Sequence, residues 1–349
     1  MPKRAKIPFI FILLILAMVC NAYSCNRQKE PKFETLNKAI ENTLNFLEDA
    51  QLDSGEFPSS FCHGQGRFFS CESDHSTFPT TFVLDALAGI QNPKAKRTSD
   101  KAAAYLLSIK EPGDLWRYWQ HGFRNSNMPY DLDDTACARA ALIKAGKTTS
   151  HDTKVFLKNK KPNGAFTTWV NLENKDIDCA ANANILYYLS LENSVPAELT
   201  AFLQQHIQIE QVRACNIWYK TPLSFYYFMA RAIRANTELE HLSPSIISEL
   251  ENFLGKRKSF GNALEHALGT AALCILKEEL GEKDISLLST LLNMQNSDGS
   301  FAAEPFYIER QGTFFESKAV TSAFALDALS TCKNKLSEEK TNKTAKASR

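Results

Sequence analysis

The sequence carries almost no net charge. Its 40 Lys and Arg stand against 39 Asp and Glu, leaving +1. Acids and bases are interspersed, so the basic stripe that nucleic-acid binding needs is missing. Alternating apolar and polar residues, the mark of half-buried strands, are nearly absent, which points away from an all-β fold. Also missing are a Gly-rich phosphate loop, a nucleophile elbow and a His-x3-His zinc helix. No cofactor and no metal is therefore expected. The longest apolar run, Ile7 to Val19, is too short to cross a hydrocarbon core of ~30 Å as a stable helix.

That run follows Lys3, Arg4 and Lys6 and precedes the small residues Ala22 and Ser24, the pattern of an export signal. Residues 1–24 are expected to be removed. Ala-Tyr-Ser-Cys is similar to a bacterial lipobox with Ala where Leu is usual, so Cys25 would become the first residue and carry a lipid. Secretion without a lipid and an uncleaved anchor are the alternatives; all three place the protein outside the cytoplasm. Residues 25–332 then form the folded domain. Residues 333–349, rich in Lys, Glu, Ser and Thr without apolar period, are expected to be a disordered tail. Of nine cysteines, Cys62 and Cys71 flank a polar loop and suit a disulfide. Cys137, Cys179 and Cys274 lie in apolar helical runs and read as small buried hydrophobes. His63 and His75 lie near Cys62 and Cys71, but the spacing fits no standard zinc pattern.

Helical periodicity recurs along the domain. The unit is an amphipathic helix, a Gly-containing loop with an aromatic, and a more apolar, Ala-rich helix. It recurs six times: Leu36 to Leu47 with Phe82 to Leu87, Ala102 to Leu107 with Ala136 to Ile143, and Val155 to Leu157 with Ala180 to Leu191. Then come Leu199 to Leu203 with Leu223 to Ile233, Ile246 to Leu254 with Ala263 to Leu276, and Leu287-Leu288 with Ala319 to Leu329. One such pair cannot bury its own apolar face, so pairs spaced ~40–60 residues apart imply a solenoid or a closed ring. The second helix of each pair is the more apolar. That asymmetry suits an inner ring wrapped by an outer one, an all-α (α/α)6 barrel whose inner helices all start around one central cavity.

Asp131-Leu132-Asp133-Asp134-Thr135-Ala136 opens the second inner helix. Three carboxylates this close cannot all ionise cheaply when shielded, so one is expected to hold a proton and act as a Brønsted acid. Asp is equally the favoured N-cap of any helix. Asp176-Ile177-Asp178 opens the third inner helix in the same way. It reads as a second set of caps, with cation binding through oxygen ligands as the alternative.

Gln51-x3-Gly55-x-Phe57 and Gln295-x3-Gly299-x-Phe301 resemble the Gln-to-Trp repeat motif of the squalene–hopene cyclases, with Phe in place of Trp. Asp131-Leu-Asp-Asp-Thr-Ala resembles the Asp-x-Asp-Asp-Thr-Ala acid motif of those cyclases and of class II diterpene cyclases. The resemblance spans Leu36 to Leu329 and implies the α/α toroid shared with protein prenyltransferases. It also implies catalysis in which Asp133 protonates an alkene or epoxide of a hydrophobic isoprenoid, while Asp131 and Asp134 tune and orient it. Aromatic faces would hold the cations: Trp119, Tyr130, Trp169, Tyr219, Phe225, Tyr226, Phe314 and Phe315, with Asp176 and Asp178 at the same mouth. In the cyclases a His supports the acid; His121 and His266 are the candidates. Prenyltransferases hold zinc through Asp-x-Cys and a His, whereas Asp178 and Cys179 are adjacent here. A glycosidase-like pairing of Asp133 with Glu265 or Glu316 and a non-catalytic toroid that binds a lipid, peptide or glycan are the other readings.

Overall fold

The computed structural model describes residues 30–65, 68–120, 122–123, 127–147, 152–170, 176–256, 261–309 and 312–347. Residues 1–24, which the sequence reads as an export signal, Cys25 and His121 lie outside them. In chain order the elements are α1 (Phe33–Ala50), β1 (Ser59–Gln65), β2 (Phe68–Asp74), α2 (Thr77–Leu87), α3 (Pro93–Ser108), α4 (Leu132–Lys144), α5 (Lys154–Lys158) and α6 (Cys179–Leu191). They continue with α7 (Ala197–Gln205), α8 (Ile209–Cys215), α9 (Leu223–Ala235), a 3₁₀ turn (Thr237–Leu242), α10 (Ser243–Lys256), α11 (Ala263–Leu276) and α12 (Glu282–Asn293). The chain ends with β3 (Pro305–Glu309), β4 (Thr313–Glu316) and α13 (Lys318–Ala347).

Burial separates the helices into two layers. In α2, α4, α6 and α9 nearly every residue is buried, as a helix apolar all round must be. In α1 only the stripe Leu36, Ala39, Thr43, Leu44 and Leu47 is buried, and in α10 only Ile246, Leu250, Phe253 and Leu254. The fully buried helices pack in the order α2, α4, α6, α9, α11, α13 and back to α2. The inner layer is thus a closed ring of six, and the outer helices α1, α3, α5, α7, α10 and α12 each precede an inner one. This is the all-α toroid that the repeat implies.

Four of the six repeats are fastened in the same way. The aromatic of the loop donates its N–H to a polar side chain one turn into the inner helix that follows: Phe57 to Thr80 at 2.9 Å, Trp116 to Thr135 at 3.1 Å, Phe166 to Asn182 at 2.7 Å and Phe301 to Ser322 at 2.9 Å. Gln51 donates to the carbonyls of Gly55 and, on α3, Thr98, both at 3.0 Å. Gln295 reaches Ala39 and Thr43 on α1, each at 2.9 Å, so the last repeat closes onto the first.

Three sequence expectations are corrected. First, the domain contains a four-stranded antiparallel sheet in the order β2-β1-β4-β3. Its strands are short and lack alternation, and they are held by tertiary contacts. Cys62 and Cys71 sit opposite each other on β1 and β2 and are bonded. Second, Cys179 and Cys274 are not isolated small hydrophobes. They form disulfides with Cys215 and Cys332, while Cys137 is free and buried. Third, the tail expected to be disordered continues α13 to Ala347. Leu336 is buried, the N–H of Leu280 donates to Glu339, and Lys340 pairs with Glu30 while lying over the Phe33 ring. Tertiary anchors on a Lys/Glu-rich segment of high helix propensity override its polarity.

The sheet covers the end where the inner helices begin. β2 leads into α2 and β4 into α13. The segment before α9 joins β3, with the N–H of Lys220 donating to Phe306 and that of Ile308 to Trp218. Behind the sheet the ring axis is filled by aromatic side chains. Phe78, Phe82, Phe228, Phe324 and Phe306 meet with centroids 4.7–5.7 Å apart.

Candidate active site

Asp131 has the extended backbone of an N-cap, and its Oδ1 accepts from the N–H groups of Asp133 (2.6 Å) and Asp134 (3.1 Å). One repeat later Asp178 caps α6 by accepting from Ala181 at 2.9 Å. Its other oxygen accepts from Ile217 at 2.5 Å and Trp218 at 2.9 Å. Asp178 therefore fixes the loop that delivers Tyr219. Both capping readings hold, and both caps serve to place other residues.

Asp133 faces the ring interior. Its Oδ2 accepts from the Tyr219 hydroxyl at 2.5 Å, and its Oδ1 from Asn184 Nδ2 at 2.8 Å and the Cys137 thiol at 3.6 Å. Asp134 is equally buried, and among the described residues neither of its oxygens has a hydrogen-bond partner. Three adjacent acids thus have three environments. Asp131 is held by backbone N–H groups, Asp133 by neutral side chains, and Asp134 by none.

The titration behaviour follows from these contacts. Burial raises the Asp133 carboxyl most, the bonds from Tyr219 and Asn184 pull it back, and the nearby Asp178 charge pushes it up; the result is about 6. Asp134 lies well above the ordinary range because burial and the charges of Asp131 and Asp133 all oppose ionisation. Burial and Asp133 raise Asp131 too, against the pull of the two N–H groups it accepts from. Near neutral pH the trio therefore combines a carboxyl that keeps its proton with one poised to exchange it.

Of the expected aromatics, Tyr219 reaches the acid directly and packs on Phe228, Phe306 and Tyr307. Trp119 donates its ring N–H to Asp74, and Phe315 packs on Tyr118 and Trp119. Tyr130 lies under the Arg117 guanidinium, and Trp169 meets Trp218 edge-on. Phe225 and Tyr226 are not brought to the acid; they pack on each other, and the Tyr226 hydroxyl donates to Ile207. Phe314 is half-buried beside Phe315 on β4, its register partner across the sheet being Cys62. Asp176 offers its carbonyl to the N–H of Thr168. His75 pairs with Glu56, and His63 lies against Phe61. His266 is buried in α11. Among the described residues, the side chains that donate to the Asp133 carboxyl oxygens are Tyr219, Asn184 and Cys137.

Sequence reasoning missed Asn184, Phe78, Phe306, Tyr307 and Arg231. The signal for Asn184 was present: it is an amide inside the otherwise apolar helix Cys179–Leu191.

The whole ring can be matched to solved structures. The type II terpene cyclase MstE from Scytonema superposes with a TM-score of 0.66 at 14% identity, over 86% of this chain and 99% of that one. The two share the α/α toroid fold. A protein from Actinoplanes matches at a TM-score of 0.67 and 15% identity, over 85% and 99% of the two chains. The ent-copalyl diphosphate synthase from Streptomyces platensis matches at 0.56 and 15%, over 73% of this chain and 50% of that one. No family model matches the sequence, and no curated protein matches it significantly. The toroid of this chain superposes on nearly the whole of the MstE chain.

Proposed function

We propose that this protein is an acid-initiated cyclase of the class II type acting on a hydrophobic isoprenoid, with Asp133 as the proton donor. The observation that carries the reading is the asymmetry of the acid trio. Only Asp133 combines burial, a carboxyl poised at about 6 and side-chain donors on both oxygens. Protonating an alkene breaks the Asp133 O–H bond and forms a C–H bond with the π electrons, leaving a carbocation and a carboxylate. Tyr219 and Asn184 donate to that carboxylate and so favour the charge-separated state. The rings packed around Tyr219, those of Phe78, Phe228 and Tyr307, are the ones that would stabilise the cation once the substrate lies among them. Attack by a second double bond closes a ring, the final cation loses a proton to water, and the Asp133 carboxylate regains a proton from solvent. Solved structures of MstE variants contain geranylgeranyl dihydroxybenzoate as substrate and merosterolic acid A as product, which supports an isoprenoid as the class of ligand.

Export belongs to the same proposal. Three disulfides support an oxidising compartment. A lipid on Cys25 would hold the protein beside neutral polyprenes in a membrane.

The test is incubation of the purified protein with squalene and other polyprenes, followed by mass spectrometry. Cyclised product from the wild type and none from Asp133→Asn is the expected result. Equal turnover in the variant would overturn the mechanism, and no product from any polyprene would count against the class.

The aromatic filling of the ring axis favours a second reading, a non-catalytic toroid that binds a lipid, peptide or glycan at its rim. In that case polyprenes give no product, and Asp133→Asn changes stability alone.

A further inference from the structure

Arg231 is a cation sealed inside the ring at 2% exposure, and proton transfer from Asp133 does not use it. A buried guanidinium is tolerated where its charge is matched and its main N–H groups are bonded; both Arg231 Nη atoms are bonded, while Nε has no partner among the described residues. Helix α9 carries it to the axis. There Nη1 meets Asp85 Oδ2 at 3.2 Å and Nη2 donates to Asn184 Oδ1 at 3.1 Å, while the guanidinium lies 4.1 Å from the centre of the Tyr187 ring. Asp85, on α2, is itself held by the Tyr187 hydroxyl at 2.9 Å and by Lys144 at 3.1 Å. The Lys144 and Arg231 charges outweigh its burial and hold its carboxyl well below the usual range. The pair is therefore locked as an ion pair.

This fixes the amide of Asn184. A primary amide has one accepting and one donating end of nearly equal shape. Arg231 can only donate, so the amide oxygen faces it. The amide nitrogen is left to donate to Asp133 Oδ1 at 2.8 Å and to the Tyr219 hydroxyl at 3.0 Å. Because that hydroxyl accepts from Asn184, its own proton goes to Asp133 Oδ2 at 2.5 Å. Every bond from Arg231 inward then runs from donor to acceptor and ends on the two oxygens of Asp133.

We infer that Arg231, anchored by Asp85, is a positioning residue for Asp133: it sets the Asn184 amide so that both carboxylate oxygens receive donors once the proton has left. The inference rests on the reading of Asp133 as the acid, but its test does not need turnover. The groups that face or interact with Asp133 are Asp131, which caps its helix, Asp134 and Cys137 on that helix, Asp178, which caps α6, Asn184 on α6, Tyr219 before α9, and Tyr307 on β3. With Arg231 removed, the amide oxygen is free to turn toward Asp133, and the carboxyl keeps its proton more tightly.

The experiment is an NMR titration of the full chain labelled with carbon-13 at the aspartate carboxyls, with the Asp133 signal assigned by its loss in Asp133→Asn. Two variants are compared with the wild type. Asp85→Asn with Arg231→Gln removes both charges together, so that neither is left buried and unpaired. Arg231→Lys keeps a charge for Asp85 but lacks the second arm that reaches Asn184. Proton affinity at Asp133 is expected to rise about tenfold, one pKa unit, in both. An unchanged titration in a variant with native circular dichroism overturns the inference. A shift in the double variant with none in Arg231→Lys also overturns it, since charge rather than amide orientation would then be the cause. If the double variant does not fold, Arg231→Lys decides alone. Absence of product from wild-type protein would remove the cyclase reading while leaving this titration to judge Arg231. An active enzyme with unchanged titrations would remove only the role of Arg231.

Discussion

At the scale of single residues, the acid motif was legible as a cluster but not as a division of labour. Which carboxyl caps, which is held and which is left bare depends on Asn184 and Tyr219, which lie 51 and 86 positions from Asp133. Local spacing carries no information about such partners. The division has two consequences. If Asp133 is the donor, turnover rises as pH falls through about 6, because only the protonated acid delivers; a pH profile on a polyprene that rose toward alkaline pH would exclude that role. Asp134 is raised above its unfolded value of 3.8. Its contribution to stability is therefore complete below that value and is lost as pH rises through the folded one. Asp134→Asn removes the titrating group. Thermal melts are expected to match the wild type near about pH 4 and to show the variant more stable by roughly 1–3 kcal/mol at about pH 8. A constant difference across pH would mean that the buried carboxyl does not titrate.

At the scale of elements, the amphipathic and apolar helices were read from periodicity because burial of one stripe or of the whole surface leaves its mark on composition. The strands were not, since residues such as Ser59 and Ser60 pair only because β4 and the Cys62–Cys71 bond hold them. The repeat loops were legible as motifs, but their mechanical role was not. In Gln295-x3-Gly299-x-Phe301 the glycine has φ +84°, and a Cβ there would fall 2.2 Å from the carbonyl oxygen of Asn42 on α1. Gly55 meets Lys101 on α3 in the same way, with φ +92° and a Cβ position 2.3 Å from the carbonyl oxygen. The motif is thus a close backbone docking point between successive outer helices. Gly299→Ala is expected to cost on the order of 3 kcal/mol, from the strained conformation and the displaced helix. Urea unfolding measures it, and a loss below about 1 kcal/mol, less than the strain of a side chain held in that conformation, would show that the loop simply shifts.

At the scale of the whole molecule, closure of the ring was implied by the apolar asymmetry between paired helices, and the packing of α13 against α2 completes it. The sealing of the mouth was not implied, because it depends on a hairpin that periodicity did not reveal. Phe306 and Tyr307 enter the centre from β3, whereas Phe78, Phe82, Phe228 and Phe324 belong to the ring helices. The filling of the axis is therefore of two kinds, one part built into the ring and one part laid over it by the sheet. If the overlaid part is what excludes a polyprene, shortening it should admit one. Phe306→Ala removes a ring in contact with Phe78, Phe82, Tyr219 and Phe324 and leaves an apolar void, at a stability cost of about 3–5 kcal/mol. A ligand that binds only the folded state raises its melting temperature, so squalene should raise that of Phe306→Ala by more than it raises that of the wild type. Equal shifts in the two proteins would show that the hairpin does not limit entry.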